Sequence, residues 1–205
     1  MEFILLILLV ALGLGAYLLY KKQQANGPDS GSGKATRPID PLAGWDSSGG
    51  DKQFFELKPG DLLKYDQNDF FVRGTIRLED GGYVWTEHLV DNASGLKRWL
   101  SVEDDDGLEL GMWEKLPMAD IESGQPGDRS VVSRGVAYKL VETGKATFTA
   151  KGTTSTAEAG SAEYMDYEAA NGAMLGFERY DGGPWESALG TKVLPSEVTV
   201  YPSGA

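Results

Sequence analysis

The chain has 205 residues, with 31 acidic and 19 basic side chains, one His and no Cys. The lack of thiols excludes disulfide frameworks, Cys zinc sites, iron–sulfur clusters and Cys nucleophiles, and a lone His excludes paired-His metal sites. A net charge of -12 argues against nucleic acid as a partner, because that binding depends on Lys and Arg neutralising phosphates, and it repels anionic lipid headgroups.

The first expected element is a membrane anchor at residues 1–22. Phe3 to Tyr20 is an uncharged, Leu- and Ile-rich run of 18 residues, about 27 Å as a helix against a hydrocarbon core of about 30 Å. Glu2 precedes the run and Lys21 and Lys22 follow it, the reverse of a cleaved signal peptide. The positive-inside rule then puts the short N-terminus outside and the rest of the chain in the cytoplasm of a single-pass membrane protein. Ala11 and Gly15 form a small-xxx-small step of the kind that lets two such helices approach.

Residues 23–51 read as a flexible linker, rich in Gly, Ser and Pro and without apolar periodicity. Its reach is about 30 Å. Gly31-Ser32-Gly33-Lys34 lacks the leading Gly and the trailing Ser or Thr of a phosphate loop, and no strand precedes it.

Residues 52–205 hold 26 acids and 15 bases, enough chain to bury a core without staples. Period-two alternation recurs, as in Phe70, Val72, Ile76 and Leu78, in Leu96 to Val102, and in Val136, Tyr138 and Leu140. Turn signals such as Lys58-Pro59-Gly60-Asp61, Glu79-Asp80-Gly81-Gly82 and Asp181-Gly182-Gly183-Pro184 separate short strands. The fold class is therefore mainly β, an antiparallel sandwich or barrel, with no second helix of normal length evident. Segments 54–116 and 130–201 resemble each other: Trp85-Thr86-Glu87-His88 against Tyr164-Met165-Asp166-Tyr167, and Leu100-Ser101-Val102-Glu103 against Leu175-Gly176-Phe177-Glu178. Two similar β-meander lobes would explain this.

Phe55-Glu56-Leu57-Lys58-Pro59-Gly60-Asp61, Trp85-Thr86-Glu87-His88-Leu89, Arg98-Trp99-Leu100-Ser101-Val102-Glu103-Asp104, Tyr164-Met165-Asp166-Tyr167 and Phe177-Glu178-Arg179-Tyr180 resemble domain of unknown function 4178. The resemblance covers most of residues 52–201. It implies a bacterial protein in which the domain is often paired with a membrane anchor, and a role in envelope homeostasis. It carries no catalytic residues.

Candidate chemistry is acidic and aromatic. Glu103, Asp104 and Asp106, with Asp105 and Glu109, offer carboxylates to a hard cation such as Ca²⁺ or Mg²⁺. Their consecutive placement matches no EF-hand and suits a solvated hairpin turn. Strand alternation puts Glu87 on one face with Tyr83, Trp85 and Leu89, and His88 on the other with Thr86 and Val90. Asp166 is the counterpart of Glu87 in the second half, so the two are candidates for an acid/base pair in a shared groove. The alternative is pairing of Glu87 with Arg73, Arg77 or Arg98. Trp85, Trp99 and Trp185 are candidate groove residues, with core packing as the alternative.

No cofactor is implied. The leading expectation is a non-enzymatic interaction module whose acidic cytoplasmic domain meets a protein partner with a basic surface. The competing expectation is a cation or small-molecule site of the polyamine kind, enzymatic if its carboxylates pair. Self-association through exposed strand edges is a third.

Overall fold

The computed structural model describes residues 47–204. The expected anchor, residues 3–20, and most of the linker lie outside these residues. Among the described residues no helix is long and apolar enough to cross a membrane.

A nine-residue helix α1 (Ser47–Phe55) opens the domain and starts within the stretch read as linker. Phe54 and Leu57, both buried against the sheet, dock its end. The sequence showed no second helix of normal length, and this short one escaped because the apolar positions responsible lie at the C-terminal edge of a Gly-rich stretch that by itself has no helical pattern.

Twelve strands follow: β1 (Leu62–Tyr65), β2 (Asn68–Asp80), β3 (Tyr83–Asp91), β4 (Lys97–Asp104), β5 (Leu108–Leu116), β6 (Ile121–Ser123), β7 (Ser130–Ser133), β8 (Val136–Gly152), β9 (Ala159–Ala169), β10 (Met174–Tyr180), β11 (Glu186–Val193) and β12 (Thr199–Tyr201). All pairings are antiparallel. The order β2-β3-β4-β5-β11-β10-β9-β8 closes on itself because β8 also pairs with β2, giving an eight-stranded barrel. Closure removes the edges that an open sheet of this size would expose. The four remaining strands continue from it as flaps, β12-β1 beside β2 and β6-β7 beside β8.

Pairing order repeats along the chain. β1 to β5 form a meander, then comes a 3-10 turn at Met118–Asp120 and the short β6; β7 to β11 form the second meander, then a 3-10 turn at Pro195–Glu197 and the short β12. β6 pairs with the first strand of the second meander and β12 with the first strand of the first. The two meanders do not stand apart as lobes. They join along β2–β8 and β5–β11 in a single barrel.

Hairpin chemistry sets the register. The β1–β2 and β7–β8 loops have two residues each, Asp66-Gln67 and Arg134-Gly135, all with positive φ. That is the twist that matches a right-handed strand pair.

Two bulges organise the core. In β2 the register shifts between Val72 and Gly74, and in β8 between Leu140 and Glu142. An extra residue reverses the parity of everything beyond it. Phe70 and Val72 therefore pack with Val90, Leu100, Val102 and Leu110, whereas Ile76 and Leu78 pack with Trp85, Phe148 and Tyr164. A third cluster joins Val131 and Tyr138 to Tyr167, Leu175 and Phe177. Since Leu100 and Val102 alternate with Trp99, Ser101 and Glu103, the first and third clusters lie on the outer face of the barrel wall, under the flaps. The apolar stripe of each meander thus faces outward into a covered core, and the polar and aromatic stripe faces the lumen.

Asp61 ties the ends of the domain together. Its buried carboxylate accepts hydrogen bonds from the Ser203 N–H at 2.7 Å, the Ser203 hydroxyl at 2.8 Å and the Lys58 N–H at 3.0 Å.

An acidic, aromatic barrel lumen as candidate functional site

The lumen encloses a cavity of about 540 Å³, well within the range of small-molecule sites. It is built by alternation. On β3 the residues facing it are Tyr83, Trp85 and Glu87; on β4 they are Trp99, Ser101 and Glu103; on β9, Tyr164 and Asp166; on β10, Gly176, Glu178 and Tyr180. β8 contributes Glu142 just past its bulge.

The floor is shaped around Trp113. Its indole lies against Gly190 and Gly176, positions where a Cβ would meet the ring, and its N–H donates to Ser101 Oγ at 3.0 Å. Close approach requires glycine at position 190, where any side chain would displace the indole, while at position 176 a Cβ would be a tight contact at 3.3 Å. Trp85 meets Tyr164 edge-on at 5.3 Å, and Phe148 meets Tyr180 at 5.1 Å.

The electrostatics are one-sided. Among the described residues, Glu87, Glu103, Asp105, Glu109, Glu142, Asp166, Glu168, Glu178 and Glu186 line the cavity, against Lys115 as the one basic lining residue. Lys115 is itself held by Glu186 at 2.9 Å. Glu87 and Glu178 are enclosed by protein, and the surface they retain faces the lumen. Burial pushes the Glu87 carboxyl well above the usual carboxylate range, and the charges of Glu178 and Asp166 push it further. Burial also raises Glu178, against hydrogen bonds from Glu87 and Tyr180. The two carboxyls face each other beside one phenol, and their mutual interaction favours a proton held between them. Tyr180 Oη donates toward both, at 3.0 Å to Glu178 and 3.4 Å to Glu87, and the Trp85 indole N–H reaches Glu87 at 3.3 Å. Asp166 is pushed up to about 7, first by burial and then by Glu178, Glu103 and Glu142. Glu103 is raised by burial, although the Tyr83 hydroxyl at 3.0 Å favours its charged form.

Glu87 and Asp166 therefore share one cavity, but the carboxyl that Glu87 touches is Glu178, which the sequence analysis did not single out. Its position opposite Glu103 in the two similar segments was the available signal. The arginines proposed as alternatives are engaged elsewhere: Arg73 with Asp91 at 2.6 Å, Arg77 with Glu79 at 3.0 Å and Arg98 with Glu114 at 3.9 Å. His88 is buried on the outer face between the hydroxyls of Thr75 and Thr86, and burial lowers it to about 4.

Three candidates change place. Glu103 and Asp105 line the cavity, while Asp104 alternates to the other face and Asp106 sits in the turn with φ 54°. Among the described residues no group of three His, Cys, Asp or Glu side chains converges as a metal site. Trp85 and Trp99 line the lumen, but Trp185 does not: it packs on the outer face with the Arg179 guanidinium 4.7 Å over its ring. On β11 the inward positions include Glu186 and Ala188, so parity turns Trp185 out. Trp113 takes the place in the wall expected of it.

Comparison with known proteins adds relatives. The family model described as Domain of unknown function (DUF4178) matches residues 58–195, which span β1 to β11. An uncharacterized protein of Mycobacterium bovis and uncharacterized proteins of two Mycobacterium tuberculosis strains are each 40% identical to the chain over 156 residues, covering 72% of it and 73% of the relative. No solved structure matches.

Proposed function

The chain belongs to the domain of unknown function 4178 family, and from that premise we propose that its barrel is a receptor for small organic cations. One observation carries this reading: five carboxyl groups from both meanders, Glu87, Glu103, Glu142, Asp166 and Glu178, line an aromatic lumen that has, among the described residues, a single and already paired basic residue in its wall. Burying like negative charges together makes their ionisation costly unless a cation joins them. Indole and phenol faces around the acids supply the complementary surface for an ammonium group.

Asp105 and Glu109 carry the negative field to the rim of the cavity. That supports a second reading, in which the cation is a Lys or Arg side chain of a basic protein partner steered to the same opening. In both readings residues 3–20 hold the barrel at the cytoplasmic face of the membrane, where it acts in envelope homeostasis.

The test uses the lumen's own tryptophans. Titrating the intact chain with spermidine or tetramethylammonium at low salt is expected to give a saturable change in Trp fluorescence that weakens at high salt. No saturable change with either ion would refute the small-cation reading.

A further inference from the structure

The lumen acids gather at two poles. At the first, Glu87 and Glu178 converge on the Tyr180 hydroxyl, which lies 3.4 Å from one and 3.0 Å from the other. At the second, the charge of Glu142 acts on Glu103, the Tyr83 hydroxyl donates to Glu103 at 3.0 Å, and the Tyr164 hydroxyl is shared between Asp80 at 3.1 Å and Glu142 at 3.3 Å. Each pole takes one acid from each meander, Glu87 and Glu103 from the first and Glu178 and Glu142 from the second. Asp166 lies between, acted on by Glu178, Glu103 and Glu142.

The separation of the poles follows from register. Glu103 stands opposite Trp85, so Glu87 is its diagonal neighbour across β3 and β4, about 7–8 Å away with the Cβ atoms somewhat closer. Trp85 occupies the interval between the two carboxylates, its N–H on Glu87 and its ring against Tyr83 and Tyr164. Two anionic poles joined by an aromatic wall fit a molecule with a cation at each end and an apolar stem between, since methylenes and ammonium groups both pack favourably on an aromatic face.

Resting on the reading of the lumen as an organic-cation site, we propose that it recognises α,ω-diamines. One ammonium binds between Glu87 and Glu178, the other between Glu103 and Glu142, and a chain of about four or five methylenes, matched to the diagonal spacing, runs along Trp85. A monoamine satisfies one pole and leaves the other uncompensated. Among the described residues no three His, Cys, Asp or Glu side chains converge at either pole as a metal site, so neither offers a hard cation an all-protein cage.

The first ammonium replaces the proton that Glu87 and Glu178 share. That proton passes to solvent, and the ammonium N–H groups take over the hydrogen bonds to both carboxylates. The other titratable groups acting on this pair are Asp166, Tyr180 and Glu186. Diamine binding is therefore accompanied by net proton release.

Isothermal titration calorimetry of the intact chain in non-ionic detergent, with putrescine, cadaverine and n-butylamine, decides the matter. Expected are at least about tenfold tighter binding of a diamine than of butylamine, and a binding enthalpy that depends on the buffer's protonation enthalpy. In Glu103→Gln, which removes charge from the second pole at constant shape, putrescine should fall to the affinity of butylamine. Equal affinities of putrescine and butylamine for the wild type, or unchanged putrescine binding by Glu103→Gln, would overturn the two-pole assignment while leaving the cation site standing. Silence from all three amines overturns both.

Discussion

Replacing Asp166 by Asn tests the electrostatic description of the lumen directly. The Asp166 carboxyl rises from 3.8 to about 7 on folding. The folded protein therefore holds a proton at pH values where the unfolded chain has lost it, and stability falls as pH rises from about 4 to about 7, then levels off. A shift of about 3 units corresponds to about 4 kcal/mol at the plateau, of which about 3 kcal/mol develops between pH 5 and pH 8. Asn keeps the shape and cannot ionise, so it lacks that slope. Urea unfolding of the intact wild-type and Asp166→Asn chains, followed by Trp fluorescence at the two pH values, should show the variant gaining about 3 kcal/mol on the wild type at the higher pH. Glu87 titrates in both proteins, and losing the Asp166 charge relieves part of its upward shift, which adds to the variant's gain at the higher pH. A stability difference that does not change with pH, or one that moves toward the wild type as pH rises, would refute the buried, mutually repelling arrangement of the carboxylates.

His88 provides a counterweight of opposite sign. Its pKa drops from 6.5 to about 4 on burial, so the unfolded chain binds the extra proton and stability is lost as pH falls from about 6.5 toward 4; because the chain has one His, its ring NMR signals report the titration without assignment, and a midpoint near 6.5 would contradict the burial. Gly74 closes the β2–β8 seam, and a Cβ there would collide with the Thr153 carbonyl and the Thr154 methyl. Gly74→Ala should cost about 3 kcal/mol of unfolding free energy, and a loss under about 0.5 kcal/mol would show that the seam yields. Burial pushes the Asp61 carboxyl up, but the hydrogen bonds from Ser203 and Lys58 outweigh it and hold its pKa below 3.8. Its contribution is present above that value and lost as pH falls through the lowered pKa. Asp61→Asn sets an NH₂ against those donors and should cost about 2 kcal/mol at neutral pH, shown as a lower urea midpoint; an unchanged midpoint would mean that the carboxylate does not hold the C-terminus.

Much of the wall was legible in the sequence because its signals are local. Alternation correctly grouped Tyr83, Trp85 and Glu87 on one face and Thr86, His88 and Val90 on the other, and Gly81-Gly82 correctly ended β2. These depend on the two-residue repeat of a strand and on the backbone freedom of glycine at positive φ. What alternation could not supply was the side to which each face turned. Phe70, Val72, Ile76 and Leu78 keep an unbroken two-residue spacing, yet the extra residue at Arg73 sends the first two to an outer core and the last two to the lumen.

Mainly β character, acidity concentrated in the domain and the aromatic setting of Glu87 were determined by the sequence itself. Tertiary structure alone decided that Glu87 meets Glu178, that Trp113 and not Trp185 lines the cavity, and that the two meanders share one barrel. Each of these depends on the β2–β8 and β5–β11 pairings and on two bulges. Register between strands distant in sequence is a cooperative outcome of closing the ring, and no window of neighbouring residues encodes it.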